Sequence, residues 1–175
     1  CSRPAGSDPD YTLDSDEPGI AMGITAKDRA SLCLTGTTAM NPDQVMQTLT
    51  EAVANIKGIG KASDLAFASL WSIGAHVEIV RRSDTELDLA MNSGKNLIEL
   101  CTFKARATSD SSGHTHIVVG GLDTYKTSQE KYMGFIPVGP KLITGMAQYK
   151  NFLNGVSKLL TARDNTAQVT IAQAA

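Results

Sequence analysis

A long amphipathic segment near the C-terminus sets the strongest limit on how this chain folds. Residues 142–160 carry apolar side chains every three or four positions, the spacing of one helical face. Pro140 is well placed to start this helix, which would be roughly 30 Å long. The face comprises Leu142, Met146, Tyr149, Leu153, Val156 and Leu160, and it is widened by Ile143, Phe152 and Leu159. Such a broad apolar face must pack against another layer, most simply one side of a β-sheet.

The segment before this helix predicts that sheet. Apolar and polar residues alternate in four runs, the pattern of half-buried strands. Three clusters of turn-forming residues separate the runs, which span residues 76–81, 86–91, 96–106 and 114–126. Adjacent glycines at Gly120 and Gly121 fall inside the last run and indicate a bulge or a sharp bend. We therefore expect an antiparallel meander.

The N-terminal half predicts a strand followed by one or two helices. Residues 24–35 alternate like a strand, and Asn41 followed by Pro42 is a typical helix start. Residues 63–74 form either a second helix or a buried strand. The Gly- and Pro-rich segment 134–140 is expected to be a stiff loop that directs the long helix. The fold class predicted is α+β, an antiparallel sheet packed on a long C-terminal helix.

This order of elements resembles the helix-grip fold of the START and Bet v 1-like superfamily, in which a curved sheet wraps around the last helix. The resemblance covers most of residues 24–160 and lies in the order of elements, without a diagnostic residue motif. In that superfamily the space between sheet and helix often holds an apolar ligand. The resemblance therefore implies a ligand cavity, for which Met146, Tyr149 and Phe152 are the candidate lining residues.

The first nineteen residues differ in composition from the rest. They begin at Cys1, are rich in Ser, Asp, Pro and Gly, and offer little to bury. This start resembles that of a mature bacterial lipoprotein, in which a cleaved signal peptide leaves a lipidated N-terminal cysteine on a flexible tether. Acyl chains on Cys1 would each add about 0.8 kcal/mol per buried CH₂ to membrane binding. The alternative is a chain boundary that falls on a cysteine by accident.

The lipoprotein resemblance implies an extracytoplasmic protein anchored to a bacterial membrane of the cell envelope. The chain then divides into a flexible tether at residues 1–23, one α+β domain at residues 24–160 and a polar tail at residues 161–175. In an oxidising compartment the two remaining cysteines, Cys33 and Cys101, can form a disulfide bond. The alternative is two separate buried thiols in apolar strands.

Candidate catalytic and metal-binding residues are few. His114 and His116 form an HxH pair whose spacing suits two metal ligands, with His76 as a distant third. They follow a polar turn, however, where histidines are more often solvated, so neither a metal nor another cofactor is expected. No Gly-x-Ser-x-Gly motif is present, and the strand contexts of the cysteines disfavour a thiolate nucleophile. Glu86 and Asp88 are interpreted as a solvated charge cluster with the arginines of the preceding run.

These features together predict binding without catalysis. The net charge of −2 and the 5% aromatic content argue against a nucleic-acid partner. We expect a membrane-anchored lipoprotein that binds an apolar ligand or a partner in a membrane complex. The alternative is an accessory lipoprotein subunit of an envelope or membrane protein complex. A further alternative is an enzyme that uses His114 or His116 in the cavity between sheet and helix.

Overall fold

A six-stranded antiparallel sheet that carries its two longer helices on one face forms the body of the protein. The computed structural model describes residues 26–56, 75–94 and 98–173. In chain order its elements are α1 (Ala26–Ala30), β1 (Leu32–Thr38), α2 (Pro42–Asn55), β2 (His76–Arg82), β3 (Glu86–Asn92), β4 (Glu99–Ser109), β5 (Thr115–Tyr125), β6 (Thr127–Tyr132), β7 (Ile136–Ile143), α3 (Met146–Arg163) and β8 (Gln168–Gln173). The predicted α+β class, with a long C-terminal helix on an antiparallel sheet, is confirmed.

The sheet has the strand order β2–β3–β4–β5–β1–β8, and each neighbouring pair is antiparallel. Its first four strands are the meander that the alternation predicts. β1 pairs with β5, with Thr35 opposite Val118, and β8 lies beside β1 at the edge. β6 and β7 pair with each other in a separate two-stranded sheet.

The helix predicted from the Asn41–Pro42 start is confirmed as α2. The Asn41 side chain accepts a hydrogen bond from the Gln44 amide at 2.9 Å, and the Gln44 side chain accepts one from the Asn41 amide at 3.1 Å. This reciprocal pair satisfies two N–H groups that a helix start leaves without partners. The helix then buries Val45 and Leu49 against the sheet and α3.

The long C-terminal helix begins later than predicted. α3 starts at Met146, whereas Leu142 and Ile143 end strand β7. Pro140 lies inside β7, because a two-stranded ribbon leaves backbone positions on its edges that need no hydrogen-bond donor. The predicted apolar face is nevertheless present, and it buries Tyr149, Phe152, Leu153, Val156 and Leu160.

Both ends of the predicted domain need correction. Residues 26–30 form a short helix, and β1 starts at Leu32. The predicted tail at 161–175 is wrong, because α3 continues to Arg163 and residues 168–173 form β8. Val169 and Ile171 pack against the core from this strand, which the otherwise polar sequence conceals. The predicted tether at 1–23 and the second helix at 63–74 lie outside the described residues.

The segment predicted to be a stiff loop is part of a hairpin. Residues 134–140 supply the turn and most of β7, which pairs with β6. The root of this hairpin is hydrogen-bonded to the main fold, because the Lys126 amide donates to the Leu100 carbonyl at 3.2 Å. Across the root, the Thr144 amide donates to the Lys126 carbonyl at 2.8 Å. The hairpin therefore extends from the junction between the main sheet and the start of α3.

Candidate functional site

The residues predicted to line a ligand cavity do not form one site. Tyr149 and Phe152 are completely buried, and Phe103 of β4 lies between them on the sheet. The Phe103 ring meets the Tyr149 ring edge-on with centroids 5.1 Å apart, and it lies 5.6 Å from the Phe152 ring. These rings fill the space between β4 and α3, so Tyr149 and Phe152 serve as core residues in this structure.

The Tyr149 hydroxyl has a structural role that explains the paired glycines. It donates a hydrogen bond to the Leu32 carbonyl at 2.7 Å and accepts one from the Gly121 amide at 3.1 Å. A Cβ atom on Gly120 would lie 2.1 Å from this hydroxyl, so only glycine fits there. The register between β4 and β5 shifts at this point, which confirms the predicted bulge. Burial raises the pKa of Tyr149 above its ordinary value, so the phenol stays protonated as the donor.

Met146 lies elsewhere, at the N-terminal end of α3. It lines a cleft of about 340 Å³ together with Leu100, Leu142 and Ile143. The cleft sits beside the root of the β6–β7 hairpin. Of the three predicted lining residues, Met146 is thus the one that borders a cavity among the described residues.

Cys33 and Cys101 are separate buried thiols, so the predicted disulfide is not formed. β5 lies between their strands, with Cys33 opposite Gly120 and Cys101 opposite Tyr125, so the two are about 10 Å apart across the sheet and roughly 16 Å apart along it, beyond the roughly 7 Å that a disulfide spans. Cys101 faces the core, whereas Cys33 precedes the core residue Leu34 and therefore points to the other face. Burial raises the pKa of both thiols, to about 12 for Cys101, so neither is a ready nucleophile.

The histidines do not converge. His116 contacts Asp110 at 3.3 Å, and His114 is hydrogen-bonded to the Ser112 hydroxyl at 3.1 Å. His76 lies three strands away, roughly 14 Å across the sheet, and contacts Glu78 at 2.9 Å. Within residues 26–56, 75–94 and 98–173, no three metal-ligating side chains come together.

The charged residues of the meander form ion pairs on the outer face of the sheet. Glu86 binds Arg106 and contacts Lys104 at 3.1 Å, and Lys104 reaches Asp88 at 3.4 Å. Hydrogen bonds from Lys104 and Arg106 lower the pKa of Glu86. These cations come from β4, whereas the predicted partners were the arginines of β2. A groove of about 490 Å³ lies beside Lys104 and Arg106 and reaches Tyr125, and both of these cations are paired with carboxylates of β3.

The β6–β7 hairpin presents a concentrated apolar surface. Among the described residues, nine large hydrophobic side chains are exposed, and six belong to this hairpin. Met133 and Phe135 at its tip are each 71% exposed. The six are Tyr132, Met133, Phe135, Ile136, Val138 and Leu142. We define residues 132–138 as the hairpin tip, and it is the candidate functional site.

The turn between β6 and β7 has an unusual backbone conformation at the exposed hairpin tip. The Phe135 amide donates to the Tyr132 carbonyl at 3.3 Å, which closes a four-residue turn. Its two central residues have positive φ, 53° at Met133 and 81° at Gly134, as in the type I′ turns that fit tight hairpins. Asn or Asp is usual at the first of these positions, and a methionine there is conformationally strained.

Strand pairing gathers the apolar side chains on one face. Tyr132 lies opposite Ile136, and Glu130 lies opposite Val138. Because alternate residues of a strand share a face, Tyr132, Ile136 and Val138 point the same way, and Glu130 borders them on that face. Residues 126–143, which comprise the hairpin and Lys126 at its root, carry three lysines, at 126, 131 and 141, and one acidic residue, Glu130. The hairpin is therefore positive, with a net charge of +2 in a chain of net charge −2.

The sequence of this turn lacks the usual hairpin signals, so the site was not predicted. Met-Gly is not a typical hairpin dipeptide, and the two prolines in β7 argue against a strand. One feature of the sequence could have indicated the site. Apolar residues lie on both sides of Gly134, whereas an ordinary surface loop is mostly polar.

No helix among the described residues combines the length and apolar character that crossing a membrane requires. Comparisons with protein-family models, with curated proteins and with solved structures each found no match, so the resemblance to the helix-grip superfamily stays a prediction.

Proposed function

We propose that this protein is a membrane-anchored extracytoplasmic lipoprotein that acts by contact and without catalysis. The observation that carries the proposal is the exposed apolar hairpin tip around Phe135, which belongs to a hairpin of net charge +2. An apolar surface of this kind on a water-exposed protein marks an interaction site. The accessory-subunit alternative places a protein partner on the same surface.

The chemistry of the described residues supports a non-catalytic role. Burial raises the pKa of Cys33 and Cys101, which disfavours a nucleophilic thiolate. His114 precedes β5 and His116 is its second residue, and neither belongs to the core that contains Phe103, Tyr149 and Phe152. The alternative of an enzyme with these histidines in a cavity between sheet and helix therefore gains no support.

Anchoring rests on the resemblance of residues 1–19 to a lipoprotein start, with Cys1 as the lipidated residue. The test is intact mass spectrometry, without reduction, of the protein purified from its native membrane. A mass excess that matches acyl chains and maps to Cys1 supports the proposal. An unmodified Cys1 overturns the anchoring and the localisation together. The same spectrum shows whether the two hydrogens of Cys33 and Cys101 are retained, as expected for free thiols.

A second candidate function is the binding of a small apolar ligand in the cleft beside Met146. The apolar side chains of Leu100, Leu142 and Ile143 that line this cleft favour it. Native mass spectrometry of the purified protein tests it, with Met146→Glu as the variant. A bound species that the wild-type chain carries and the variant lacks supports this function, and its absence from both excludes it.

A further inference from the structure

We propose that the hairpin tip inserts into the headgroup region of a bilayer that contains anionic lipids. This inference rests on the proposed function in so far as Cys1 brings the domain to a membrane. The contact itself needs only the hairpin, so it can be measured on a chain that carries no lipid.

The shape of the site favours a bilayer over a folded partner. The apolar side chains of Tyr132, Met133, Phe135 and Ile136 are exposed at the turn end of a two-stranded ribbon that is separate from the main sheet, and β7 of this ribbon also lies near α1. β6 alone extends about 17 Å, and an interfacial element is buried by only about 5–10 Å. The tip therefore reaches the acyl boundary while the root at Lys126 stays in water.

The kinds of residue at the tip match the interface of a bilayer. Tyr132 places an amphipathic ring beside the apolar side chains of Phe135 and Met133, and aromatic rings are enriched at headgroup depth. Lys131 directly precedes Tyr132 and lies on the other face of the ribbon, where it pairs with Pro137. A lysine close to a membrane surface strengthens binding to anionic lipids about fivefold.

The backbone of the turn gives independent support. Met133 has a φ of 53°, a left-handed conformation that favours Asn or Gly and strains a methionine. The side chain is 71% exposed, so core packing does not compensate for this strain. A contact outside the domain that an apolar methionine makes more favourably than a polar asparagine accounts for Met133 at this position.

The experiment uses the full 175-residue chain with Cys1→Ser, so that no acyl chain contributes to binding. Sedimentation is measured with vesicles of phosphatidylethanolamine and phosphatidylglycerol, and separately with vesicles of phosphatidylcholine alone. We expect binding to the anionic vesicles and weaker binding to the neutral ones, because Lys131 lies directly beside the tip.

Phe135→Asp is the variant that removes the apolar contact at the tip. We expect vesicle binding to weaken about tenfold or more, because a large apolar group is replaced by a charge. Val80→Asp is the matched control, since Val80 is 68% exposed but lies on β2, away from the hairpin. It introduces the same charge and is expected to leave binding unchanged.

Met133→Asn separates the contact from folding. Asparagine suits the left-handed position, so the variant is expected to fold at least as well as the wild-type chain. Its binding to anionic vesicles is nevertheless expected to fall severalfold, because the exposed thioether side chain is lost. A purely structural role for Met133 predicts no loss of binding.

Two results would overturn this inference. The first is a Cys1→Ser chain that does not bind anionic vesicles, or whose binding Phe135→Asp and Val80→Asp weaken equally. The second is a photo-crosslinker at position 135 of the membrane-bound protein that labels a protein and not lipid. Neither result affects the mass spectrum that tests lipidation of Cys1, so failure of the hairpin contact and failure of the anchor remain distinguishable.

Discussion

The aromatic core and the hairpin tip use similar residues in opposite ways. Phe103, Tyr149 and Phe152 pack ring against ring between β4 and α3, and all three are fully buried. Tyr132 and Phe135 are exposed to solvent on a ribbon whose turn is closed by the hydrogen bond from the Phe135 amide to the Tyr132 carbonyl. Apolar character alone therefore does not locate the core, and the partner available to each side chain decides its role.

The largest difference in stability is expected between Phe→Ala in the aromatic core and Phe→Ala at the hairpin tip. Phe152→Ala removes a ring that is 1% exposed, and we expect it to lower the free energy of unfolding by about 3–5 kcal/mol. Phe135→Ala removes an exposed ring and is expected to change stability by about 0.5 kcal/mol or less. Urea unfolding of both variants measures the difference. Equal losses would mean that the hairpin tip is part of the folded core.

A second contrast tests how Tyr149 fixes the bulge in β5. Gly120→Ala strains a backbone with φ of 119° and places a Cβ against the Tyr149 hydroxyl. We expect a loss of about 1–3 kcal/mol from strain, with the clash in addition. Gly121→Ala is the matched control, because its φ is 73° but nothing lies within 4 Å of the added atom. Thermal unfolding should show the larger loss of stability for Gly120→Ala. Equal losses for the two variants would mean that the contact with the Tyr149 hydroxyl does not contribute.

Sequence analysis predicted the elements that strong local patterns specify. The Asn41 cap, the meander and the apolar face of α3 were all readable, because each depends on residues close together in the chain. β8 could not be predicted from local sequence, because Val169 and Ile171 are placed in a strand only by the pairing of β8 with β1. Tertiary pairing overrode the weak local signal there.

The candidate site was harder to predict than the fold. Residues Tyr149 and Phe152 have the same apolar signature in a core as in a ligand cavity, and the sequence cannot say which space is already filled. The disulfide prediction failed for a related reason, because the distance between Cys33 and Cys101 depends on β5 lying between their strands. Met133 and Phe135 looked like parts of a loop, and only the pairing of β6 with β7 shows that they form an exposed tip.

The strain at the hairpin tip gives a third and smaller effect, of opposite sign. Met133→Asn places a residue suited to positive φ at the turn, and we expect it to stabilise the protein by about 0.5–1 kcal/mol. Met133→Ala is the control, because it shortens the side chain but keeps an ordinary Cβ in the left-handed region. Chemical unfolding should rank asparagine above alanine. Equal stability for the two variants would show that the turn does not strain its first central residue.

The smallest effect concerns the turn before β5, which is built unlike the one at the hairpin tip. Asp110 accepts hydrogen bonds from the Ser112 hydroxyl and from the amides of Ser112 and His114. These bonds, that of the Ser112 hydroxyl first, lower the pKa of Asp110 to about 2. A carboxyl group with a lowered pKa stabilises the fold above its unfolded value of about 3.9, and this contribution is lost as the pH falls towards 2.

We therefore expect the stability difference between the wild-type chain and Asp110→Asn to be constant above about pH 4 and to shrink between pH 4 and 2. Urea unfolding across this range measures it. Ser112→Ala should reduce the pH dependence, because it removes the largest cause of the shift. His116→Gln should leave it in place, although His116 lies 3.3 Å from the same carboxylate. If His116→Gln abolishes the pH dependence, the ion pair and not the hydrogen bonds of the turn holds the carboxylate ionised.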